Sequence, residues 1–252
     1  MIPELTLGAW LRFDAIHDAL KQVRPRTILE IGGGEGALGA WLSQRYDYTG
    51  VEPDRESFSK ARARLERVGR GRVLQGTLDR VRGHTFDLVC AFEVLEHIED
   101  DARELNDWCE HLATGGFLLL SVPAHSRRFA ASDVAVGHVR RYDRESLLGL
   151  LRSCGLTVTW LRSWGFPLGL MLETIRNHLA ARDPAVPHTI EARTGRSGRW
   201  LQPRSRAFAL ANAVLAYPFR WLQAPFNSGD RGIGWVVLAH REVPARLGPE
   251  RT

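Results

Sequence analysis

The feature that most constrains the fold is a strand-like run, Ile-Leu-Glu-Ile at 28–31, that leads directly into Gly-Gly-Gly-Glu-Gly at 32–36. Glycines allow positive φ angles and let a ligand approach the backbone where a Cβ would collide with it. The next apolar run ends at Glu52, twenty residues after Gly32, where a carboxylate can accept both ribose hydroxyls of an adenosine. This spacing predicts a nucleotide-binding turn. The alternative for the glycines is a tight strand-to-helix turn that binds no ligand. The alternative for Glu52 is a solvated charge at the end of a strand.

Short apolar runs alternate with amphipathic segments along the chain, after an opening helical pattern at about 5–20. Strands are predicted at 27–31, 48–52, 72–76, 86–92, 117–122, 156–163 and 234–240. Helices are predicted at 37–45, 55–68, 100–112, 144–154, 165–181 and 204–221. This alternation calls for an α/β fold with a mostly parallel sheet and helices on both faces. Ligands of such sheets bind beyond the carboxyl ends of the strands.

The length of 252 residues suits one α/β domain. We expect this domain to span residues 1–242, with a core at 25–165, a helical substrate or lid insertion at about 165–226 and the last strand at 234–240. Residues 183–202 are interpreted as a mobile loop and residues 243–252 as a disordered tail.

Charge and cysteine content bound the cellular setting. The net charge of +5 and the isoelectric point of about 9.5 suit an anionic substrate, nucleic acid or an anionic membrane surface, and select none of them. The three cysteines, at 90, 109 and 154, lack the spacing of a zinc ribbon or a disulfide framework. No leader pattern opens the chain, and no apolar run approaches the roughly 18–20 residues that span a bilayer. We therefore expect a cytoplasmic protein.

The glycine pattern by itself fits two kinds of nucleotide, because Gly32-x-Gly34-x-x-Ala37 also matches the dinucleotide fingerprint. Glu30 lies two residues before the first glycine. A carboxylate at this position suits a ligand that carries an ammonium group and no pyrophosphate. The methionine end of S-adenosylmethionine is such a ligand, so the pattern favours it over NAD.

Four motifs follow one another in order: Glu30-x-Gly32-x-Gly34-x-Gly36, Val-Glu-Pro-Asp at 51–54, and the runs at 86–97 and 112–123. Together they resemble the class I S-adenosylmethionine-dependent methyltransferases, in particular the ubiquinone-biosynthesis O-methyltransferase type, over roughly residues 25–165. The resemblance implies a Rossmann-like seven-stranded sheet whose last strand is antiparallel. It also implies that Gly-Thr-Leu at 76–78 lies beside the adenine, although the family more often has Gly-Asp-Ala there. The expected cofactor-binding residues are Glu30, Gly32, Gly33, Gly34, Gly36, Glu52, Pro53, Thr77, Leu78, Phe92 and Glu93.

Three polar residues, Glu93, Glu96 and His97, follow the strand at 86–92 directly. If a helix begins there, spacings of three and four place all three side chains on one face. Two carboxylates and an imidazole on one face suit a hard divalent cation such as Mg²⁺. The alternative is an exposed amphipathic turn in which His97 forms a hydrogen bond at the helix end.

The resemblance adds a histidine to this candidate cation site. Ubiquinone-type O-methyltransferases and small-RNA 2′-O-methyltransferases carry a similar Glu-x-x-Glu-His and bind a divalent cation with it, and the latter add a later histidine. His138 would occupy that place here, so the resemblance implies a cation site of Glu93, Glu96, His97 and His138. Without a cation, His97 or His138 would act as the general base, because an imidazole titrates near neutral pH.

Two further regions bear on the substrate. Arg140 and Arg141 are interpreted either as ligands for a substrate carboxylate or phosphate or as solvated surface charges. Aromatic and aliphatic residues gather at 160–172 and 208–222, with five arginines at 193–206 between them. These segments predict a helical subdomain over the sheet, a tunnel for a lipophilic substrate, or a peripheral contact with an anionic membrane at its inner face.

The sequence thus predicts a methyltransferase that acts on an oxygen, or less readily a nitrogen, of a small molecule. One alternative is an RNA or nucleoside 2′-O-methyltransferase, but no RNA-binding module supports a nucleic-acid partner. The other is a non-catalytic, cofactor-binding scaffold. The pattern does not identify the acceptor, the pathway or the oligomeric state.

Overall fold

The computed structural model describes residues 3–182 and 206–241. A single seven-stranded sheet of order β3-β2-β1-β4-β5-β7-β6 runs through this part of the chain. The first five strands pair in parallel, and β7 lies antiparallel to both β5 and β6. The strands are β1 Thr27–Ile31, β2 Asp47–Glu52, β3 Arg72–Gln75, β4 Phe86–Phe92, β5 Leu112–Pro123, β6 Leu156–Trp164 and β7 Gly234–Arg241. This topology confirms the predicted α/β fold class, including the antiparallel last strand.

Eight α-helices accompany the sheet in the described residues. They are α1 Leu7–Val23, α2 Ala37–Leu42, α3 Arg55–Val68, α4 Asp101–Glu110, α5 Ala131–Val136, α6 Arg144–Ser153, α7 Leu168–Ala180 and α8 Arg206–Gln223. Helices α7 and α8 fall within the predicted helical insertion. The predicted loop at 183–202 and the predicted tail at 243–252 lie outside the described residues. None of the described helices is long and apolar enough to cross a membrane.

Apolar side chains fill both faces of the sheet. On one face, α1 buries Trp10, Phe13 and Ile16 in the same cluster as Leu88 of β4 and Leu238 of β7. On the other face, a second cluster surrounds the fully buried Trp108 of α4 and includes residues of α6. Because the central strands β1 and β4 are covered on both sides, they appear as nearly continuous apolar runs in the sequence.

The order of the strands reverses at β1, which pairs with β2 on one side and with β4 on the other. Such a switch point leaves a crevice beyond the carboxyl ends of the two central strands. The chain segments that follow β1 and β4 meet there, since a Cβ on Gly32 would lie 2.7 Å from a methyl group of Val94. The fold therefore brings the glycine turn and the Glu93–His97 region to one edge of the sheet.

Candidate functional site

The glycine turn after β1 has three residues in the left-handed region, with φ angles of 66° at Gly32, 54° at Gly34 and 74° at Gly36. A Cβ on Gly36 would lie 2.8 Å from the Cα of Ala61, so this glycine lets α3 approach the turn. A Cβ on Gly34, in contrast, would meet no atom within 4 Å. Gly34 therefore borders open space from which a ligand can reach the backbone.

Glu52 ends β2 with a buried carboxylate that is held beside the glycine turn. One oxygen accepts a hydrogen bond from the backbone N–H of Gly34 at 2.8 Å, and the other from that of Asp54 at 2.9 Å. Burial raises the pKa of this carboxyl above its ordinary value. Each carboxylate oxygen has a second lone pair, so Glu52 can still accept ribose hydroxyls.

The predicted adenine segment lies next to Glu52. The N–H of Gly76 donates to the backbone carbonyl of Glu52 at 3.0 Å, which places Thr77 and Leu78 at the end of β2. Thr77 is exposed and Leu78 is half-buried, and Pro53 is exposed on the same edge. Phe92 is buried in the core cluster at the end of β4. The assignment of these residues to the cofactor stays a prediction.

Glu30 lies below the glycine turn and forms a buried pair that the sequence did not indicate. The hydroxyl of Tyr48 donates to Oε2 of Glu30 at 2.6 Å. The tyrosine ring fits only because two neighbours are glycines: a Cβ on Gly39 would lie 2.3 Å from the hydroxyl oxygen, and one on Gly50 2.6 Å. Burial raises the pKa of Glu30 to about 7, although the Tyr48 hydrogen bond opposes this shift.

The raised pKa of Glu30 predicts a pH-dependent stability. Its pKa is about 7 in the fold, against an ordinary value of 4.5, so the folded protein binds the proton more tightly than the unfolded chain. Stability should therefore fall as pH rises from about 4.5 to 7 and then level off, by an amount on the order of 3 kcal/mol. Glu30→Gln, which keeps an acceptor for Tyr48, should raise the melting temperature at pH 8 more than at pH 5. Equal shifts at the two pH values would contradict this assignment.

Glu93 is not grouped with the other three predicted cation ligands, because no α-helix follows β4 and the expected one-face arrangement does not form. The residue has a φ angle of 58°, and only a short 3₁₀ turn, Leu95–His97, follows it instead of an α-helix. Its carboxylate accepts a hydrogen bond from Ser121 Oγ at 2.9 Å and lies 3.1 Å from a guanidinium nitrogen of Arg12. Arg12, on α1, is a further candidate site residue that the sequence did not indicate.

The other three predicted cation ligands do come together. One candidate ligand atom each from Glu96, His97 and His138 lies within 4.8 Å of the others. Nε2 of His138 is 3.6 Å from Oε1 of Glu96, and the two imidazole rings meet edge to face at 4.8 Å. The backbone N–H of Val139 donates to the carbonyl of Glu96 at 2.8 Å and ties the segment after α5 to the end of β4.

Hydrogen bonds on the far side of each ring set the orientation of both histidines. Nδ1 of His97 lies 3.0 Å from the carbonyl oxygen of Gly137, which can only accept a hydrogen bond. Nδ1 of His138 lies 2.7 Å from a carboxylate oxygen of Asp133. Both rings therefore carry their proton on Nδ1 when neutral, and His138 directs the Nε2 lone pair toward Glu96. Ligand histidines in metal sites are commonly oriented by carboxylates or carbonyls in this way.

The electrostatics of this cluster favour an added positive charge. Glu96 is 0% exposed, and neither of its carboxylate oxygens accepts a hydrogen bond from another described residue. Burial and the nearby Glu93 charge raise its pKa well above the usual range, while burial lowers the pKa of His97 to about 4. A buried carboxylate facing the lone pair of His138 is costly unless a cation or a proton lies between them. The donor set fits a divalent cation.

Both arginines next to this cluster form ion pairs within the protein, and for Arg141 the burial corrects the interpretation as a solvated charge. Arg140 donates to a carboxylate oxygen of Asp101 at 2.8 Å and to the carbonyl of Glu99 at 2.6 Å. Arg141 is buried and forms ion pairs with Asp133 and Glu173. Arg141 is therefore neither a solvated charge nor available to a substrate anion.

Comparisons with known proteins identify the family of the chain. A family model described as a methyltransferase domain matches residues 10–161. A ubiquinone biosynthesis O-methyltransferase of Azorhizobium caulinodans is 31% identical over 133 residues, which cover 50% of this chain and 53% of that protein. The chain thus spans about half the length of the curated relatives that it matches.

Two solved structures share the fold. The YcgJ protein of Bacillus subtilis superposes with a TM-score of 0.58 at 15% identity, over 92% of this chain and 99% of that one. The [4+2]-cyclase SpnF gives a TM-score of 0.59 at 17% identity, over 91% and 82%. At these identities the likeness shows the fold alone. With the family model matching well over half of its length, the chain belongs to the S-adenosylmethionine-dependent methyltransferases, for which S-adenosylmethionine is the expected methyl donor.

Proposed function

We propose that the protein transfers a methyl group from S-adenosylmethionine to an oxygen, or less readily a nitrogen, of a small lipophilic molecule. The observation that carries this proposal is the adjacency of two sites. The glycine turn and Glu52 form a nucleotide end. Glu96, His97 and His138 form an acid–base cluster beyond the end of β4, the strand that pairs with β1. The ubiquinone-type relatives support oxygen as the acceptor atom.

Four residues at the nucleotide end would hold the methyl donor. The Glu52 carboxylate would accept the ribose hydroxyls, and the backbone at Gly34 allows the ligand to approach closely. Arg12 would pair with the carboxylate of the methionine end, since it reaches the crevice from α1 and lies against Glu93. The Glu30 carboxylate, below the turn, would attract the ammonium group of the methionine end. When bound, S-adenosylmethionine supplies an electrophilic methyl group on its sulfonium.

The acid–base cluster would activate the acceptor. His138 holds its Nε2 lone pair toward the centre of the cluster, so it can take the proton of an acceptor hydroxyl. His97 would be the weaker base of the two, because its pKa is about 4. Glu96, His97 and His138 are also the residues that would hold a divalent cation, whose charge would favour the deprotonated acceptor. Glu93 does not belong to this set, because it pairs with Arg12 and Ser121.

Labelled methyl transfer tests the proposed reaction. The protein is incubated with methyl-labelled S-adenosylmethionine and whole-cell extract, with and without a chelator, and the extract is then fractionated. We expect label in the organic-soluble small molecules. Label in RNA would favour the 2′-O-methyltransferase alternative. No label in any fraction, despite tight binding of S-adenosylhomocysteine, would favour the scaffold.

We also propose that α7 and α8 bring the protein to an anionic membrane surface, where a lipophilic acceptor would be found. Helix α8 turns small residues toward α1 and large apolar ones outward. Its buried side includes Ala209 and Ala216, and Gln223 hydrogen-bonds to the carbonyl of Leu11 at 3.1 Å. The exposed apolar side chains are Phe208, Leu210, Val214, Leu215, Tyr217, Trp221 and Leu222.

Helix α7 likewise exposes large apolar side chains and buries a polar one. Its one carboxylate, Glu173, is buried against Arg141, while Met171, Ile175 and Leu179 are about half exposed. Since α8 contains no acidic residue, neither helix presents a carboxylate to solvent. Exposed apolar area together with Trp and Tyr side chains, and without negative charge, suits the surface of an anionic bilayer.

Vesicle binding tests the membrane contact. We expect the wild type to co-sediment with phosphatidylglycerol vesicles at low salt, and Val214→Asp/Trp221→Asp to stay in the supernatant with an unchanged melting temperature. Both side chains are largely exposed, at 66% and 71%. The matched control, Ser59→Asp/Ala63→Asp on exposed positions of α3, changes the net charge equally and should still sediment. Co-sedimentation of both variants would refute the contact, and a wild-type dimer that the first variant dissociates would identify a second copy as the occupant.

A further inference from the structure

A chain of buried charges links α7 to His138. Asp133, on α5, accepts from Nδ1 of His138 at 2.7 Å and from Nε of Arg141 at 2.9 Å through the same oxygen. Its second oxygen lies 2.8 Å from Nη2 of Arg141, so the guanidinium holds this carboxylate with two parallel bonds. The remaining guanidinium nitrogen, Nη1, donates a hydrogen bond to the carboxylate of Glu173 on α7. Side-chain exposure along this chain is 1% at Asp133, 2% at Arg141 and 5% at Glu173.

We propose that Glu173 and Arg141 are positioning residues that fix the neutral tautomer of His138, with the proton on Nδ1 and the lone pair of Nε2 directed at Glu96. An imidazole has two neutral tautomers, and only the one with its proton on Nδ1 directs a lone pair at the cluster. Asp133 selects that tautomer as long as its acceptor oxygen points at Nδ1. The two bonds from Arg141 hold the Asp133 carboxylate in one plane, and Glu173 holds Arg141 from the other side.

This chain gives the outer helix α7 an influence on the acid–base cluster. Glu173 lies 35 residues beyond His138 in the sequence and forms no hydrogen bond or ion pair with the histidine ring in the described part of the chain, so its effect passes through Arg141 and Asp133. The consequence for methyl transfer rests on the proposed function, but the tautomer of His138 does not. A failure of this inference and a failure of the proposed function are therefore distinguishable.

Histidine nitrogen NMR tests the inference on the apo protein. The protein is labelled with ¹⁵N-histidine and measured at pH 8 with a chelator, and the His138 signals are identified by their loss in His138→Gln. We expect the wild type to show Nδ1 protonated and Nε2 unprotonated. Glu173→Gln should shift the tautomer ratio of His138 toward Nε2–H by about tenfold, which corresponds to about 1.4 kcal/mol.

A matched control separates positioning from the docking of α7. Asn177 also joins α7 to α5, where it accepts from the backbone N–H of Ser132 at 3.3 Å without touching Arg141. Asn177→Ala should therefore leave the His138 signals unchanged. An unchanged pattern in Glu173→Gln, or the same shift in Asn177→Ala, would overturn the inference. If Glu173→Gln does not fold, Arg141→Lys serves instead, because an ammonium cannot form the paired bonds to Asp133 and should cause the same shift.

Discussion

Replacing Glu96 with alanine should lower the turnover number by a factor of about 10²–10⁴ and leave the affinity for S-adenosylhomocysteine nearly unchanged. Glu96 is fully buried in the acid–base cluster, and one of its carboxylate oxygens lies 3.6 Å from Nε2 of His138. No described hydrogen bond joins it to the glycine turn, so cofactor binding should not depend on it. His138→Ala should have a comparable effect, because it removes the lone pair directed at the same point. Turnover is measured on the acceptor fraction that the labelled-methyl experiment identifies.

The role of Glu96 can also be tested through protein stability, without a methyl acceptor. A buried carboxylate that accepts no hydrogen bond from another described residue destabilises the fold, so Glu96→Gln should raise the melting temperature of the metal-free protein. The matched control is Glu99→Ala, since Glu99 is exposed three residues later and should affect neither turnover nor stability. Wild-type turnover in Glu96→Ala or His138→Ala would show that the catalytic role of the substituted residue is wrong.

Replacing Glu52 with alanine should weaken S-adenosylhomocysteine binding by about a hundredfold or more. Two ribose hydroxyls would donate to this charged acceptor, and a hydrogen bond to a charged group contributes about 1.5–3 kcal/mol. The substitution also removes the bond that holds the N–H of Gly34 at 2.8 Å, so the glycine turn loses a support on the ligand side. Affinity is measured by calorimetric titration.

The control for Glu52 is Glu56→Ala, which removes an exposed carboxylate from the first turn of α3 and should leave the affinity unchanged. A melting temperature close to that of the wild type ensures that the loss of binding in Glu52→Ala is local. Binding of S-adenosylhomocysteine at wild-type strength in Glu52→Ala would remove Glu52 from the ribose site.

The sheet could be predicted because its signals are local. Each buried strand is a short apolar run that ends at a turn residue, and the predicted bounds of β1 and β4 match the observed ones. The glycine turn could be predicted for the same reason, since positive φ angles at 32, 34 and 36 favour glycine whatever surrounds them.

The side-chain geometry of the site depends on partners that are distant in the sequence. Glu93 leaves the predicted one-face arrangement because Ser121 of β5 and Arg12 of α1 hold its carboxylate. No local spacing reveals these partners. The same holds for Arg141, whose burial depends on Glu173, 32 residues further along the chain.

One local feature of the sequence is consistent with the pairing of Tyr48 and Glu30. A tyrosine between glycines at 39 and 50 has room to turn inward, but only the fold shows that the hydroxyl reaches Glu30. The grouping of Glu96, His97 and His138 was suggested by a family resemblance, and the structure brings these three together while it separates Glu93.

Calorimetric titration of the wild type with S-adenosylhomocysteine, the expected product, tests the central claim most directly. A methyltransferase with the nucleotide end described above should bind it with a dissociation constant in the micromolar range, about −8 kcal/mol. NAD should give no heat under the same conditions. The absence of detectable heat from S-adenosylhomocysteine at two temperatures, or tighter binding of NAD, would contradict the account.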